Sequence, residues 1–382
     1  MSRQSIDYDR SLIGRPGSRE AIDTPSLVLD LDAFEANVAL MAQLASARGI
    51  ALRPHAKTHK SVSVARRQMK AGALGQCCAK LGEAEVLAEG GISGLLLTSP
   101  VQHPAKIERL VALLRRAPDL MVVVEDEANV RRLGEAVATA GLRLTVLIDC
   151  DVGSPRFGVT SPAAAVALAQ AIATQPALRL GGIQGYAGHC QAVRDYAERR
   201  ALSHAALGIL GKVRDALQEA GFSSPIVTGA GTGTHDFDHE PGVLTELQVG
   251  SYVFSDVIYD GVVMAPSAPH RFRNSLFVQT RIVSDQHQGF ATSDAGFKSF
   301  AMDGPAPVIF AGAPEGARYD RFGDEFGKVV LADPAARLPV GTLLTCIVPH
   351  CDPNVTLFDY YHCVRGDRLV ELWPIEARSC AG

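Results

Sequence analysis

A basic stretch near the start of the chain carries the side chains best suited to covalent chemistry. Residues 53–60 read Arg-Pro-His-Ala-Lys-Thr-His-Lys and follow the short apolar run 49–52. A strand that ends in a loop before a helix is where α/β proteins present reactive groups. We take Lys57 as the candidate, because burial and a cation such as His55 or Arg53 lower a lysine pKa and free the amine to attack a carbonyl. The alternatives are a solvated basic loop and a phosphate-binding patch.

A glycine-rich turn follows the apolar run 225–228. Residues 229–234 read Gly-Ala-Gly-Thr-Gly-Thr. Glycines let backbone N–H groups converge on an anion, and the hydroxyl of Thr232 or Thr234 can add a donor. The spacing matches neither a dinucleotide-binding loop nor a Walker loop. It predicts a phosphate cradle, with a plain glycine turn as the alternative. Residues 248–252, Gln-Val-Gly-Ser-Tyr, would form the second wall.

A histidine and an aspartate stand two residues apart late in the chain, after the predicted strand 343–348. In extended backbone, His350 and Asp352 point to one face while Cys351 points away. An imidazole and a carboxylate on one face make half of a divalent metal site, and the oxygen ligand favours Mn²⁺ or Mg²⁺ over Zn²⁺. The alternative is a salt-bridged pair, since two ligands alone do not make a site.

Two other polar segments are weaker candidates. Residues 235–240, His-Asp-Phe-Asp-His-Glu, lack a characteristic ligand spacing, so we interpret them as a solvated loop rather than a metal site. Lys298 fits a site and the surface equally well.

The elements that would position these groups alternate between strand and helix. Residues 24–30 predict a first strand, and Asp32 is a candidate N-cap for a helix to about Ala47. Eight further βα alternations, with apolar runs that lack strict polar alternation, predict a parallel (β/α)8 barrel. An open doubly wound sheet is the alternative. The eight runs lie near 50–53, 74–78, 94–98, 120–124, 143–149, 179–186, 225–228 and 245–249.

The pattern changes near residue 265. Residues 275–283 alternate like an antiparallel strand, and further short runs follow between Gly, Asp and Pro turns. We therefore divide the chain into a loosely held N-terminal arm (1–22), a barrel (23–265), whose first strand can instead join the second domain, and a C-terminal β domain (266–382) that carries His350 and Asp352.

Composition limits the partners. The formal charge of −4 over 382 residues, with dispersed basic residues, argues against nucleic acid, so we expect a small-molecule substrate. No apolar run approaches the roughly 18 residues that cross a bilayer, and residues 1–19 lack the apolar core of a signal peptide. We expect no membrane partner and a cytoplasmic location.

The eight cysteines include no C-x-x-C pair, so we expect reduced thiols, with Cys77, Cys78 and Cys150 buried in strands.

Taken together, the motifs resemble a known family. Pro-His-Ala-Lys-x-His-Lys, Gly-x-Gly-Thr-Gly, Glu-Leu-Gln-x-Gly-Ser-Tyr, Asp-Ala-Gly-x-Lys-Ser and His-x-Asp-Pro occur in this order within residues 23–378. In this respect the chain resembles the D-threonine aldolase and D-serine dehydratase family, which are pyridoxal phosphate (PLP) enzymes of the alanine-racemase-like fold, fold type III. The resemblance implies a PLP-bearing barrel, a C-terminal β domain, a divalent metal beside the cofactor and a homodimer.

The resemblance also implies residue roles. Lys57 would carry PLP covalently, and His350 and Asp352 would bind the metal. His189 would contact the substrate, with an ordinary loop histidine as the alternative. The remaining cofactor contacts would come from Arg156 and Tyr186 at the ring and from Gly231, Thr232, Gly250, Ser251 and Tyr252 near the phosphate.

The implied reaction is the cleavage of a β-hydroxy-D-α-amino acid to glycine and an aldehyde. Asp352 favours this aldolase branch, since the dehydratases usually show His-x-Cys. A D-serine or 3-hydroxy-D-aspartate dehydratase giving a keto acid and ammonia is the runner-up. A racemase would have no use for the His350–Asp352 pair, and a non-catalytic PLP-binding homeostasis protein is usually a single barrel. The chain departs from the family at 324–327, Asp-Glu-Phe-Gly, where relatives carry His before the glycine; this puts a substrate contact or a proton relay in doubt.

Overall fold

The computed structural model describes residues 3–265 and 271–380. These residues form two sheets, a parallel one of eight strands and a mainly antiparallel one of nine. The predicted boundary between residues 265 and 266 adjoins the segment 266–270, which lies outside the described residues. The helices are α1 (Arg3–Leu12), α2 (Ser18–Ala21), α3 (Leu31–Ala47), α4 (Val62–Lys70), α5 (Leu81–Glu89), α6 (Pro104–Leu114), α7 (Glu127–Thr139), α8 (Pro162–Ala173), α9 (Tyr196–Glu219), α10 (Val257–Asp260) and α11 (Cys351–Val355).

The parallel sheet closes into a barrel. Strand β1 (Ser26–Asp30) comes first in the chain but belongs to the other sheet. The barrel strands are β2 (Ala51–Leu52), β3 (Cys77–Cys78), β4 (Leu96–Leu97), β5 (Met121–Val124), β6 (Leu144–Asp149), β7 (Leu178–Gly185), β8 (Ile226–Gly229) and β9 (Glu246–Leu247). They follow the order β2-β9-β8-β7-β6-β5-β4-β3. The N–H of Cys77 donates to the carbonyl of Pro54 at 2.8 Å, which joins the two ends of this order. Each predicted run overlaps a strand, so the predicted α/β class is confirmed.

Helices α3 to α9 alternate with the barrel strands and share one apolar core with them. The first of these begins earlier than predicted. The side chain of Asp30, not Asp32, is the N-cap, because its carboxylate accepts the N–H groups of Asp32 and Ala33.

The second sheet confirms the expected antiparallel β region. Its strands after β1 are β10 (Leu276–Ser284), β11 (Phe290–Ser293), β12 (Val308–Ala311), β13 (Arg318–Arg321), β14 (Gly327–Val330), β15 (Leu343–Ile347), β16 (Tyr360–Arg365) and β17 (Arg368–Pro374). Strand β1 pairs antiparallel with β10 and parallel with β16, so it is an interior strand of this sheet. The sequence analysis missed β13, whose residues Arg-Tyr-Asp-Arg carry no apolar run.

The two sheets meet at the segment that follows Lys57. The hydroxyl of Tyr361 donates to the carbonyl of His59 at 2.6 Å, and the hydroxyl of Ser61 donates to the carbonyl of Pro374 at 2.8 Å. The N–H of Ala377 donates to the carbonyl of Lys60 at 3.0 Å. These bonds hold the barrel loop against the second sheet.

None of the described helices is long and apolar enough to span a bilayer. All eight cysteines are described, and each is a free thiol. Cys77 and Cys78 lie buried in β3, as predicted, and Cys150 is buried immediately after β6.

The prediction of a loosely held N-terminal arm is wrong. Helices α1 and α2 lie against the second sheet, with Leu12 packed in a small apolar cluster. The carboxylate of Asp9 lies 3.0 Å from Nε2 of His362, and both side chains are fully buried. A buried polar pair between distant segments gives this arm a defined position.

We expect Asp9→Ala to lower the free energy of unfolding by about 3 kcal/mol, because removing one member of a buried pair leaves the other without compensation. Urea denaturation followed by circular dichroism measures the change. Asp7→Ala is the control, since the Asp7 side chain is 69% exposed and pairs with Arg10 on the surface. Equal effects of the two substitutions would show that the buried pair adds nothing specific.

Candidate active site

The mouth of the barrel holds a cavity of about 210 Å³. Polar residues at or just beyond the carboxyl ends of the parallel strands form its floor, which is where barrel enzymes place their chemistry. These floor residues are His55, Thr98, Gln184 and Gln248, and the walls include Lys57, Ala79, Lys80, Ser99, Arg156, Phe157 and Tyr186.

Lys57 lies in the short 3₁₀ turn Ala56–Thr58 between β2 and α4. The turn is closed by Nδ1 of His55, which accepts the Lys57 N–H at 3.3 Å. The amine of Lys57 reaches across to the second sheet and pairs with the carboxylate of Asp352.

This pairing reverses the expected electrostatics of Lys57. Burial lowers the pKa of Lys57, but the Asp352 carboxylate raises it by more, so the net shift is upward. The cations that were expected to lower the pKa of Lys57 do not do so. Arg53 is paired with both carboxylate oxygens of Glu246, at 2.8 and 2.9 Å. Burial, and then the charge of Lys57, lower the pKa of His55 well below its ordinary value, so His55 is neutral. In the cofactor-free protein Lys57 is therefore an ammonium.

His350 and Asp352 converge, but not by the predicted strand geometry. The chain turns into α11 directly after His350, so Asp352 lies in a helical first turn. The N–H of Cys351 donates to Asp256 at 2.8 Å, which holds the start of this helix. Burial raises the pKa of Asp352, but the charge of Lys57 and its hydrogen bond lower it by more, so the carboxylate stays ionised at neutral pH. Nδ1 of His350 lies 2.6 Å from the carboxylate of Asp303.

The glycine turn is built around Gln191. Its side-chain oxygen accepts the N–H of Gly233 at 2.9 Å. A Cβ on Gly233 would lie 2.1 Å from the backbone oxygen of Gln191, so this position requires glycine, whereas a Cβ on Gly231 would lie 2.4 Å from the side-chain oxygen. Thr232 then receives the backbone N–H of Tyr252 on its hydroxyl at 3.1 Å. The two predicted walls of the phosphate cradle are thus joined.

The second wall lies beside the Lys57 turn. A Cβ on Gly250 would stand 2.5 Å from the hydroxyl of Thr58. That hydroxyl is buried and makes no hydrogen bond to the described residues. Ser251, which follows Gly250 in the sequence, is also buried. An oxygen-rich group bound here would satisfy the orphan donor of Thr58.

The side chain of Tyr252 does not face this wall. Its hydroxyl accepts from the amide of Gln68 at 3.0 Å, and its ring packs against Phe272 in the core. Only its backbone N–H belongs to the cradle.

Arg156 and Tyr186 lie on the cavity wall, as the resemblance implied. The guanidinium of Arg156 stacks 4.3 Å from the centre of the Phe157 ring and 5.9 Å from that of Tyr186. Burial raises the pKa of Tyr186, so its hydroxyl is protonated at neutral pH. His189 is exposed and is not among the described residues that line the cavity.

The prediction that residues 235–240 form a solvated loop is wrong for the first four of them, which are buried. Asp238 accepts from the hydroxyl of Thr234 at 2.6 Å, and Nδ1 of His235 lies 2.7 Å from the carbonyl of Thr232. These bonds support the cradle from behind. The described residues contain no group of three or more His, Cys, Asp or Glu that could hold a metal, here or elsewhere.

Lys298 and the first three residues of the departure, 324–326, lie on the surface. Lys298 pairs with Glu325, and both side chains are more than half exposed. Phe326, which stands where relatives carry His, is 48% exposed.

Known proteins resemble this chain over nearly its whole length. A model of the alanine racemase N-terminal domain matches residues 29–256, and a putative serine dehydratase domain matches residues 275–364. A 3-hydroxy-D-aspartate aldolase of Paracoccus denitrificans is 36% identical over 99% of this chain and 97% of its own length. A D-threonine aldolase of an Arthrobacter species is 38% identical over 96% and 95%. The crystal structure of a D-threonine aldolase from Filomicrobium marinum is 39% identical, with a TM-score of 0.91, and the match covers 95% of this chain and 98% of that one.

The chain belongs to the alanine-racemase-like family of D-threonine and 3-hydroxy-D-aspartate aldolases. The predicted family and the predicted enzyme class, a lyase, are confirmed. Membership implies PLP as the cofactor. It also disfavours the non-catalytic homeostasis protein, because the second sheet is present and the aldolase relatives match its full extent.

Sequence reasoning missed the polar floor of this aldolase-family site. Gln248 donates to the side-chain oxygen of Gln184 at 3.0 Å, and Gln184 donates to Asp149 at 2.7 Å. Burial raises the pKa of Asp149 to about 7. The signal available was position: Asp149 and Gln184 are polar residues near the carboxyl ends of the otherwise apolar β6 and β7.

The burial of Asp149 predicts a pH-dependent cost to stability. A carboxyl that titrates near 4 when unfolded and near 7 when folded destabilises the fold progressively between about pH 4 and pH 7, and fully above that range. Asp149→Asn keeps an oxygen that accepts from Gln184 and carries no charge. In cofactor-free protein we expect it to raise the free energy of unfolding at pH 8 by about 1–3 kcal/mol, with a gain that shrinks as the pH falls toward 4. Urea titrations at several pH values measure this, and a pH-independent difference would contradict it.

Proposed function

We propose that the protein is a PLP- and divalent-metal-dependent aldolase that cleaves β-hydroxy-D-α-amino acids to glycine and an aldehyde. One observation carries the proposal. The amine of Lys57, which lines the cavity, pairs with the carboxylate of Asp352 on α11, and His350 lies close enough to Asp352 to interact with it electrostatically.

The residues present fit PLP. The cavity is lined by the amine of Lys57, the aromatic ring of Tyr186 and the polar floor. These groups suit the pyridine ring of PLP and its hydrogen-bonding substituents. The joined glycine walls and the orphan hydroxyl of Thr58 fit a phosphate. PLP, when bound, supplies an electron sink for the carbanion left as Cα–Cβ breaks.

The residues also fit a divalent ion with an incomplete protein ligand set. Asp352 is ionised, and His350 has one ring nitrogen engaged by Asp303 and the other free of any hydrogen bond to the described residues. An imidazole and a carboxylate suit Mn²⁺ or Mg²⁺ better than a thiolate site would, and two ligands leave positions for substrate oxygens. The ion would supply Lewis-acid stabilisation of a substrate alkoxide.

The chain's own groups divide the proton chemistry. Because its pKa is held low, Asp352 is a poor proton acceptor and is better suited to bind cations. Lys57 becomes a base only when its ammonium proton is lost, and Asp352 opposes that loss. Lys57 would bind the cofactor and, once neutral, would be one of two groups suited to accept the β-hydroxyl proton, the other being a water on the divalent ion. His55 on the floor stays neutral at neutral pH, and Tyr186 on the wall stays protonated.

We expect Lys57→Ala to abolish the visible absorbance of the bound cofactor, because no other described lysine lines the cavity except the exposed Lys80. His350→Ala should retain that absorbance and lose cleavage of D-threonine by about 100-fold or more. Absorbance spectra and an aldehyde assay with added Mn²⁺ measure both. Cleavage by His350→Ala that also survives chelation would refute the catalytic ion.

Product analysis of the same reactions tests the runner-up. The match of residues 275–364 to a putative serine dehydratase domain keeps a dehydratase in view. Glycine and aldehyde support the proposal, whereas a keto acid and ammonia would replace it with the dehydratase.

The cavity wall favours an acidic substrate. Lys80 and Arg156 are exposed on it. Glu83, three residues beyond Lys80, pairs instead with Lys60, and Arg156 stacks on Phe157. Neither Lys80 nor Arg156 forms a salt bridge with a described carboxylate. Two such cations suit the two carboxylates of a 3-hydroxy-D-aspartate better than the single carboxylate of D-threonine.

We expect Lys80→Met to lower kcat/KM for 3-hydroxy-D-aspartate about fivefold, the effect of a partly exposed ion pair, and to leave D-threonine nearly unchanged. Lys212→Met, an exposed lysine on α9, is the control for charge removal. An equal loss for both substrates would assign Lys80 to a general role instead.

The homodimer and the cytoplasmic location stay predictions. Size-exclusion chromatography with light scattering tests the first, and fractionation of the source cells tests the second.

A further inference from the structure

The imidazole of His350 is held by a residue far away in the chain. Its Nδ1 lies 2.6 Å from the carboxylate of Asp303, 47 residues earlier. The imidazole is 27% exposed, and the carboxylate is 51% exposed. A bond between two free surface side chains would be worth little, so its significance depends on whether the Asp303 loop is fixed.

The loop that carries Asp303 is fixed from two sides. One guanidinium nitrogen of Arg321, on β13, donates to the carbonyls of Ala301, Gly304 and Pro305 at 3.0, 3.0 and 2.9 Å. The side chain of Asn354 accepts the N–H of Ala301 at 2.9 Å. Asn354 lies on α11, two residues after Asp352, so the helix that carries one candidate ligand also anchors this loop.

The loop runs directly beside His350. A Cβ added to Gly304 would lie 3.7 Å from Cβ of His350 and 3.4 Å from Ile258, which are ordinary contact distances. The Asp303 carboxylate is thus presented to the imidazole by backbone that is already ordered, so the bond costs little further conformational entropy.

We propose that Asp303 is a positioning residue for the metal ligand His350. Asp303 accepts a hydrogen bond from the Nδ1–H of His350. This bond leaves the lone pair on Nε2 and fixes the rotation of the ring. This is the arrangement by which a carboxylate orients a metal-binding histidine. The inference rests on the proposed function, in which His350 binds the ion together with Asp352. Asp303 itself acts through His350.

Mn²⁺ affinity of the PLP-loaded protein is the decisive measurement, followed by isothermal titration calorimetry after chelation and dialysis. Asp303→Ala should weaken Mn²⁺ binding by about 10- to 100-fold. Asp303→Asn retains an oxygen acceptor and should lose clearly less. The cofactor absorbance and the melting temperature of both variants should match the wild type, which separates positioning from damage to the fold.

Asp285→Asn is the matched control. Asp285 directly follows β10 in the second sheet, 3.9 Å from Arg337, and its removal takes away one carboxylate charge outside the site. Its Mn²⁺ affinity should be that of the wild type. A loss as large as that of Asp303→Ala would mean that overall charge, and not the bond to His350, sets the affinity, and would overturn the inference.

His350→Ala distinguishes failure of the inference from failure of the proposed function. If His350→Ala loses Mn²⁺ binding while Asp303→Ala keeps wild-type affinity, the site stands and the positioning role falls. If neither substitution changes Mn²⁺ affinity, the proposed metal site is wrong and the positioning role falls with it.

Discussion

The contact between Lys57 and Asp352 is the constraint on which the site depends. These residues are 295 positions apart, one on the barrel and one on the helix that leaves the second sheet. Their pairing requires the two sheets to keep a fixed relative position. Hydrogen bonds between the loop after Lys57 and the second sheet provide this, through Tyr361, Ser61 and Ala377. The second sheet therefore carries one of the two partners of this contact and is not an appended domain.

The same contact sets the charges of the mouth. Asp352 stays ionised and Lys57 stays protonated because each compensates for the burial of the other. His55 is neutral because burial, and then the charge of that ammonium, lower its pKa. The mouth therefore combines an ammonium, a carboxylate and a neutral imidazole within one region of the fold.

Local patterns predicted the elements well and their environments poorly. The eight apolar runs and the glycine turn were identifiable because strand period and glycine sterics are encoded over a few residues. Strand β13 was not predicted, because most of its residues are charged and form no apolar run. The burial of residues 235–238 escaped for a related reason: their polar groups are satisfied by Thr232 and Thr234 at the back of the cradle, which composition does not reveal.

The sequence by itself determined the fold class and the family, and it named Lys57, His350 and Asp352 as the candidate reactive groups. Only the tertiary structure decided how those groups act on one another. It reversed the expected pKa shift of Lys57, replaced the predicted strand geometry of His350 and Asp352 with a helical turn, and brought Asp303 to the imidazole. The physical reason is that a pKa shift or a hydrogen bond depends on distances of a few ångströms between residues remote in the chain, whereas sequence patterns report only the local periodicity of the backbone.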